Sequence, residues 1–325
     1  MKKNDVISVC NALMDILVEV EDSDLKTLEL TKGIMHLVDS QRQQTVLNYF
    51  ANKPHVTELG GSCLNAIRTL AALGHKTAFA GMIKDDKFGN HILQRMSDLG
   101  IRTKVNMHGS ESTGTCIILI TPDGERTMNT NLGASRLYNH ELIPHNDIAE
   151  SRVLHFSGYQ WDSEEQKHAI QSAINTCHEH DTLISFDIAD PFVVSRNQDA
   201  FAKMIAEHAD IVFANKEEAR LLYGSTPQDA AKRIADTGSI AVIKLGAEGA
   251  LIQQGSKTYR VEPVKTSVVD TTAAGDMFAA GFLHGHLLSA PLDQCGRMAA
   301  TLASDVISRI GATVSQSALK SVSSH

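Results

Sequence analysis

Short apolar runs separated by amphipathic stretches recur along this 325-residue chain. From residue 150 onward the alternation is regular. Val153 to Ser157, Leu183 to Asp187, Ile211 to Ala214 and Ala241 to Leu245 read as buried strands, with helical periodicity near 163–179, 197–208 and 227–237 between them. Such alternation predicts an α/β fold: a doubly wound, mostly parallel central sheet with helices on both faces, whose ligands bind beyond the carboxyl ends of the strands. Tyr159, Asp190, Phe192, Asn215, Glu218, Gly246 and Gly249 fall at those ends.

The first 150 residues are less uniform. Val6 to Val9 and Lys76 to Met82 read as strands of the same sheet, and Asp86 to Leu99 as a helix stopped by Gly100. Ile16 to Val20 alternates with polar residues. Segment 101–131 changes character again: Val105 to Met107 and Thr115 to Ile120 are β-like, and Pro122-Asp123-Gly124-Glu125 is a turn leading to Arg126-Thr127-Met128. Together, residues 12–20 and 101–131 predict a small β-sheet lid on one domain spanning 1–325.

Composition narrows the classes. The chain is 42% hydrophobic and 21% charged, which is globular, and its net charge of −8 without a long basic run points away from nucleic acid and anionic membrane as partners. No apolar stretch is long enough for a membrane span or a signal peptide. Five scattered cysteines without C-x-x-C suit a reducing cytoplasm rather than a disulfide framework or a zinc site.

The chemistry centres on Val268 to Ser289, VVDTTAAGDMFAAGFLHGHLLS. A strand end turns at Asp270-Thr271-Thr272-Ala273-Ala274-Gly275-Asp276 into an apolar helix, and the small residues leave backbone N–H groups uncovered where partial positive charge accumulates. Asp276, a carboxylate beside an anion cradle, makes sense as a proton acceptor in phosphoryl transfer to a hydroxyl. The plainer reading is that Asp270 or Thr272 caps the helix and Asp276 only complements its dipole.

Other stretches are suggestive in the same way. Gly60-Gly61 admits a ligand close to the backbone, Ser62 can cap the helix that follows, and Asn65 lies in its first turn. Asn11 and Asp15 stand between two strands, where a carboxylate could accept hydrogen bonds from a vicinal diol; an Asx turn explains them equally. Asn215 and Glu218 form a capping arrangement and also offer a carboxylate to Mg²⁺ held through water. Lys244-Leu245-Gly246-Ala247-Glu248-Gly249 ends a strand in a two-glycine turn. No P-loop, no G-x-G-x-x-G after the first strand and no G-x-S-x-G occurs.

Taken together, D-T-T-A-A-G-D at 270–276, G-G-S-C-L-N at 60–65, N-x-x-E at 215–218 and K-x-G-x-x-G at 244–249, in that family's order, resemble the ribokinase-like (PfkB) carbohydrate and nucleoside kinases. The resemblance runs from Asn11 to S-R-I-G-A at 308–312. It implies ATP and Mg²⁺ as cofactors, with a monovalent cation such as K⁺ as a further one, and a small-molecule nucleoside or sugar as substrate in a monomer or homodimer. It implies Asp276 as general base, amides of Ala273, Ala274, Gly275 and Asp276 as the anion hole, and Asn11, Asp15, Gly60, Gly61, Ser62 and Asn65 around sugar hydroxyls. Arg126, at the edge of the hairpin around 122–128, could reach a phosphate, with a solvated hairpin arginine as the plainer reading. Asn215 and Glu218 would organise Mg²⁺ and phosphates, and Lys244, Gly246 and Gly249 would flank ATP. N-A-L-M-D at 11–15, T-G-T-C at 113–116 and E-R-T-M at 125–128 look most like the adenosine kinase branch, with Leu13, Tyr159 and Phe192 as base contacts. Thr272-Ala273 departs from that branch, which carries Asn-Gly there. A sugar kinase and a non-catalytic nucleoside-binding protein are the alternatives.

Overall fold

The computed structural model describes residues 2–323. Strands are numbered in chain order: β1 Asn4–Val9, β2 Leu13–Glu19, β3 Met35–Leu37, β4 Val56–Gly60, β5 Thr77–Lys84, β6 Arg102–His108, β7 Gly114–Ile120, β8 Arg126–Asn131, β9 Ser151–Ser157, β10 Leu183–Asp187, β11 Ile211–Asn215, β12 Ile240–Lys244, β13 Ala250–Gln254 and β14 Lys257–Val261. Nine of them form one sheet in the order β14-β13-β12-β11-β10-β9-β1-β5-β6. From β6 to β12 every neighbour is parallel, and β13 and β14 close the far edge as an antiparallel hairpin.

Side-chain alternation along these strands feeds two cores. Ile7, Val9, Leu154, Phe156, Val212 and Ala214 point to the face covered by helices Glu164–Glu179, Pro191–Glu207 and Pro227–Asp236. Val6, Cys10, Val153, Ile211 and Phe213 point to the other, against helices Ser62–Ala72, Ala274–Leu287 and Leu292–Val306. Every residue of β1 after Asp5 is therefore buried, which is why the strand reads as an apolar run broken only by Ser8. The helix expected from residue 197 begins earlier, at Pro191, because Asp190 caps it by accepting from the N–H of Phe192 at 2.8 Å; Asn197 interrupts its φ/ψ and mimics a start.

A second, five-stranded sheet has the order β3-β8-β7-β2-β4. Its membership corrects the expected lid boundaries. Residues 102–108 are not part of it: β6 pairs in parallel with β5, Ala78 opposite Arg102, and forms the edge of the large sheet. An edge strand keeps one row of side chains in solvent, so its half-polar sequence imitates that of an isolated small sheet. Conversely β3 and β4 join the small sheet unannounced, being short and largely exposed on their outer residues.

Asp187, Asn215 and Lys244 end β10, β11 and β12, while β1 runs out at Cys10 beside the point where the strand order reverses from β5 to β9. The helix Ala274–Leu287 is brought against Leu292–Val306 by two glycines. A Cβ at Gly281 would lie 2.6 Å from Ala299 Cα, and one at Gly285 2.9 Å from Cys295 Cα. Those atoms are backbone and cannot swing away. Gly281→Ala should therefore destabilise the protein by about 1–3 kcal/mol, as overpacking in a dense core does, seen as a lower urea midpoint with an unchanged slope.

Candidate active site

The carboxyl ends of β1, β9, β10, β11 and β12, the first turn of helix Ser62–Ala72 and the loop 271–276 enclose one cleft of about 300 Å³, roofed by the small sheet. Of the residues expected there, Asn11, Leu13, Asp15, Gly61, Ser62, Asn65, Arg126, Tyr159, Asn215, Glu218, Lys244 and Ala273 to Asp276 line it. Chain segments more than 200 residues apart meet in this space.

The helix carrying Asp276 starts without a side-chain cap. Ala273 occupies the N-cap position in the left-handed conformation (φ 59°), uncommon for a residue with a Cβ and a sign of local strain. The plainer expectation, that Asp270 or Thr272 caps this helix, is not met. Asp270 Oδ1 accepts from the backbone N–H and the hydroxyl of Thr272, at 2.8 and 2.6 Å, and Oδ2 accepts from Gly311 N–H at 2.9 Å. With both residues engaged elsewhere, the N–H groups of Gly275 and Asp276 find no partner among the described residues and open onto the cleft. Lys244 adds a full charge at the same place: a Cβ on Gly275 would stand 3.1 Å from its Nζ. Uncapped amides plus an ammonium make a receptor for phosphate oxygens.

Asp276 faces the cleft between two donors. Ser62 Oγ donates to Oδ1 at 2.7 Å and Asn65 Nδ2 to Oδ2 at 2.9 Å. Ser62 is free to do so because Gly61, at φ 97°, is the N-cap of helix Ser62–Ala72, contrary to the expectation that Ser62 caps it. Burial pushes the Asp276 carboxyl above its ordinary pKa, the Asn65 and Ser62 hydrogen bonds pull it back, Asp187 raises it and Lys244 lowers it. The outcome is a carboxyl raised as a base should be yet held in one orientation.

Asp15, on β2, has no hydrogen-bonding partner among the described residues although it is 6% exposed. Its pKa is pushed from 3.8 to about 7, first by burial; Arg68 opposes this, while Asp276 and Glu58 reinforce it. Gly60 lies behind it rather than in the cleft: a Cβ there would be 1.9 Å from Asp15 Oδ1. Glu218, 1% exposed, is tied into the capping box with Asn215, whose N–H and Nδ2 donate to its two oxygens at 2.7 and 2.5 Å. Burial raises Glu218 to about 7, with Lys244 pulling down and Asp187 pushing up. Arg126 is no solvated hairpin arginine: it reaches from β8 across to Thr271, its Nε donating to Oγ1 at 3.0 Å.

Besides Gly60, three expected residues stay outside the cleft lining. Phe192 is 43% exposed and stacks under the Arg196 guanidinium, 4.4 Å from the ring centre, because the helix turns it outward after Pro191, which takes the cleft position. Gly246 and Gly249 shape the β12–β13 turn, Gly249 at φ 85° against the Val261 carbonyl. Conversely the sequence reading overlooked Asp187, whose Oδ2 is 3.4 Å from Lys244 Nζ, and Gln166, which bonds Asn11. An acidic residue closing an apolar run was a usable signal for Asp187; nothing local marked Gln166. Among the described residues no cluster of three His, Cys, Asp or Glu could by itself hold a metal ion. Glu218 and Asp187 nevertheless suit Mg²⁺, which keeps waters and leans on one or two carboxylates plus phosphates.

Because Asp15 binds its proton more tightly folded than unfolded, unfolding releases protons between about pH 4 and pH 7, and stability falls as pH rises through that window. Asp15→Asn should remove this term. Thermal melts are expected to show the variant more stable than the parent at pH 8, with the difference vanishing near pH 4.

Comparison with known proteins identifies the family. Residues 41–319 match the model of the pfkB family of carbohydrate kinases. A probable sugar kinase from Rhizobium etli CFN 42 is 34% identical, with a TM-score of 0.94 over 100% of this chain and 99% of that one. An adenosine kinase from Sinorhizobium meliloti is 33% identical, with a TM-score of 0.93 over 98% of each chain. A 5-dehydro-2-deoxygluconokinase from Listeria monocytogenes is 27% identical over 263 residues, 77% of this chain and 81% of that protein. The family match over residues 41–319 and the shared two-sheet α/β fold show that the chain belongs to the pfkB family of carbohydrate kinases, phosphotransferases with an alcohol group as acceptor.

Proposed function

We propose that the chain is an ATP-dependent kinase of the 5′-hydroxyl of a ribonucleoside, adenosine first, producing AMP. The observation that carries this reading is the composition of the cleft roof. Leu13, Met35, Leu37, Ile118, Met128 and Leu132 present an apolar surface opposite the polar floor. A flat purine needs such a surface, whereas a free sugar offers hydroxyls on every side and gains little from it. The unpartnered Asp15 carboxyl suits a pair of ribose hydroxyls, and Asn11 stands beside it.

In this reading the acceptor hydroxyl approaches Asp276, which takes its proton as the new O–P bond forms. Ser62 and Asn65 hold the carboxylate on line, so the step needs no reorientation of the base. The open amides of Gly275 and Asp276 and the Lys244 ammonium stabilise charge on the transferring oxygens. Arg126, already across the cleft at Thr271, is placed to join them. Glu218 and Asp187 would hold Mg²⁺ through water and the turn Gly246–Gly249 would flank the nucleotide of bound ATP, whose γ-phosphate would be the group transferred.

A sugar, free or phosphorylated, is the second reading. It is favoured by the names of the Rhizobium etli and Listeria monocytogenes relatives and by Thr272, which stands where adenosine kinases carry Asn.

A coupled ADP-release assay with Mg-ATP and a panel of adenosine, inosine, guanosine, cytidine, ribose, fructose and fructose phosphates separates the two. Turnover of adenosine well above the sugars is expected; turnover of sugars alone would discard the nucleoside, and silence with nucleoside still binding would mark a non-catalytic protein. Asp276→Asn should cost about 10²–10⁴-fold in kcat while sparing nucleoside binding. In Ser62→Ala the carboxylate loses a donor that stabilises its charged form, so the acid limb of the kcat–pH profile should move to higher pH.

A further inference from the structure

Asn11 lines the cleft where the acceptor is expected, and an asparagine can offer either its oxygen or its amide hydrogens to a ligand. Which one it offers is decided here by neighbours. Gln166, from helix Glu164–Glu179, is 1% exposed and places Nε2 2.8 Å from the Ser135 carbonyl oxygen and 2.6 Å from Asn11 Oδ1. The Ser135 carbonyl can only accept, so the Gln166 atom facing it must be the nitrogen. That nitrogen has two hydrogens and two acceptors, and the Asn11 atom turned to it must then be the oxygen. Flipping either amide would set oxygen against oxygen or N–H against N–H.

Ser135 is itself tied to two other segments by its hydroxyl. Its hydroxyl lies 3.0 Å from the Met82 carbonyl and 3.3 Å from both the N–H and the carbonyl of Ala12, next to Asn11. Gln166 Oε1 is buried and has no partner among the described residues, so the side chain meets the rest of the protein through its two donors. On the other side, Asn11 Nδ2 makes no hydrogen bond to the protein among the described residues and is not sealed from the cleft.

We propose that Gln166 is a specificity-determining positioning residue: by fixing the Asn11 amide, it makes the cleft present an N–H donor there and so selects substrates that offer a hydrogen-bond acceptor at that point, a ring nitrogen or a hydroxyl oxygen. Gln166 does not touch the substrate. The inference rests on the reading of Asn11 as an acceptor-substrate contact, and it sharpens the substrate class to ligands bearing a lone pair at this position. A donor in the same place, such as a ring N–H, meets Asn11 hydrogens and is rejected.

The test is a chemical double-mutant cycle. Wild type and Gln166→Met are assayed with adenosine and with analogues that each lack one acceptor: 1-deaza-, 3-deaza- and 7-deazaadenosine, and 2′-deoxy- and 3′-deoxyadenosine. In wild type one analogue should lose about tenfold in kcat/KM, the size of one directed hydrogen bond. In Gln166→Met adenosine itself should show an acceptor KM raised by about that factor, with kcat and the KM for ATP unchanged, and the same analogue should suffer no further loss. Gln166→Glu, which keeps size and shape but offers oxygens, should behave in the same way and serves if the methionine variant does not fold. An undiminished analogue penalty in the variants, or a KM for ATP raised as much as that of the acceptor, overturns the proposal, because a merely structural residue would act on both substrates. If the panel of acceptors shows turnover of sugars alone, the adenosine reading fails on its own, and the cycle is run with the deoxy forms of the sugar that is used.

Discussion

An uncapped helix start is the feature on which the rest of this structure depends. Most helices cover their first N–H groups with a side chain. Here the two residues best suited to do so are drawn away, since Asp270 spends its oxygens on Thr272 and Gly311 and so closes the turn from outside. The Gly275 and Asp276 amides stay open, Ala273 is held left-handed, and Asp276 enters the helix facing the cleft rather than the solvent. The C-terminal segment takes part in this: Gly311 serves Asp270, and Ala312 N–H donates to Glu58 on β4. A loop near the end of the chain thereby links the anion cradle to the small sheet.

Charge is distributed around that cradle with some economy. Lys244 lies among Asp187, Glu218 and Asp276, and although burial alone would lower its pKa, these carboxylates hold it above the ordinary value. The same ammonium restrains the carboxyls of Asp276 and Glu218, which burial raises. Asp15 stands apart on the roof, with Arg68 behind it as the opposing cation. Two carboxyls of different surroundings thus face one space: Asp276, oriented by Ser62 and Asn65, and Asp15, left without a protein partner. Unequal environments of this kind suit unequal tasks, and in the function proposed Asp276 would move a proton and Asp15 would bind.

Much of the scaffold was legible in the sequence because burial on both faces leaves a one-dimensional trace. Strands β9 to β12 are continuous apolar runs between amphipathic helices, and their positions were read within a residue or two. The trace fades where a strand has one wet face. Arg102–His108 imitated a lid strand from the edge of the large sheet, and Met35–Leu37 was too short to show any period. Spacing alone likewise made Ser62 a helix cap, because the sequence contains no sign that Gly61 would turn to φ 97° and release the hydroxyl.

The sequence by itself determined that the chain winds an α/β sheet and that 270–276 leads into a helix, and it marked Asn11, Asp15, Asn65, Glu218 and Lys244 as candidates that do line one cleft; local patterns of apolar runs, glycine and capping are what short-range physics can read. Tertiary structure alone decided which partner each side chain has. Ser62 and Asn65 meet Asp276 across more than 200 residues, Gln166 meets Asn11 across 155, and Phe192 turns away from the cleft its neighbour Pro191 lines. The orientation of an amide and the pKa of a buried carboxyl depend on atoms a few ångströms away in space, and periodicity along the chain carries no record of them.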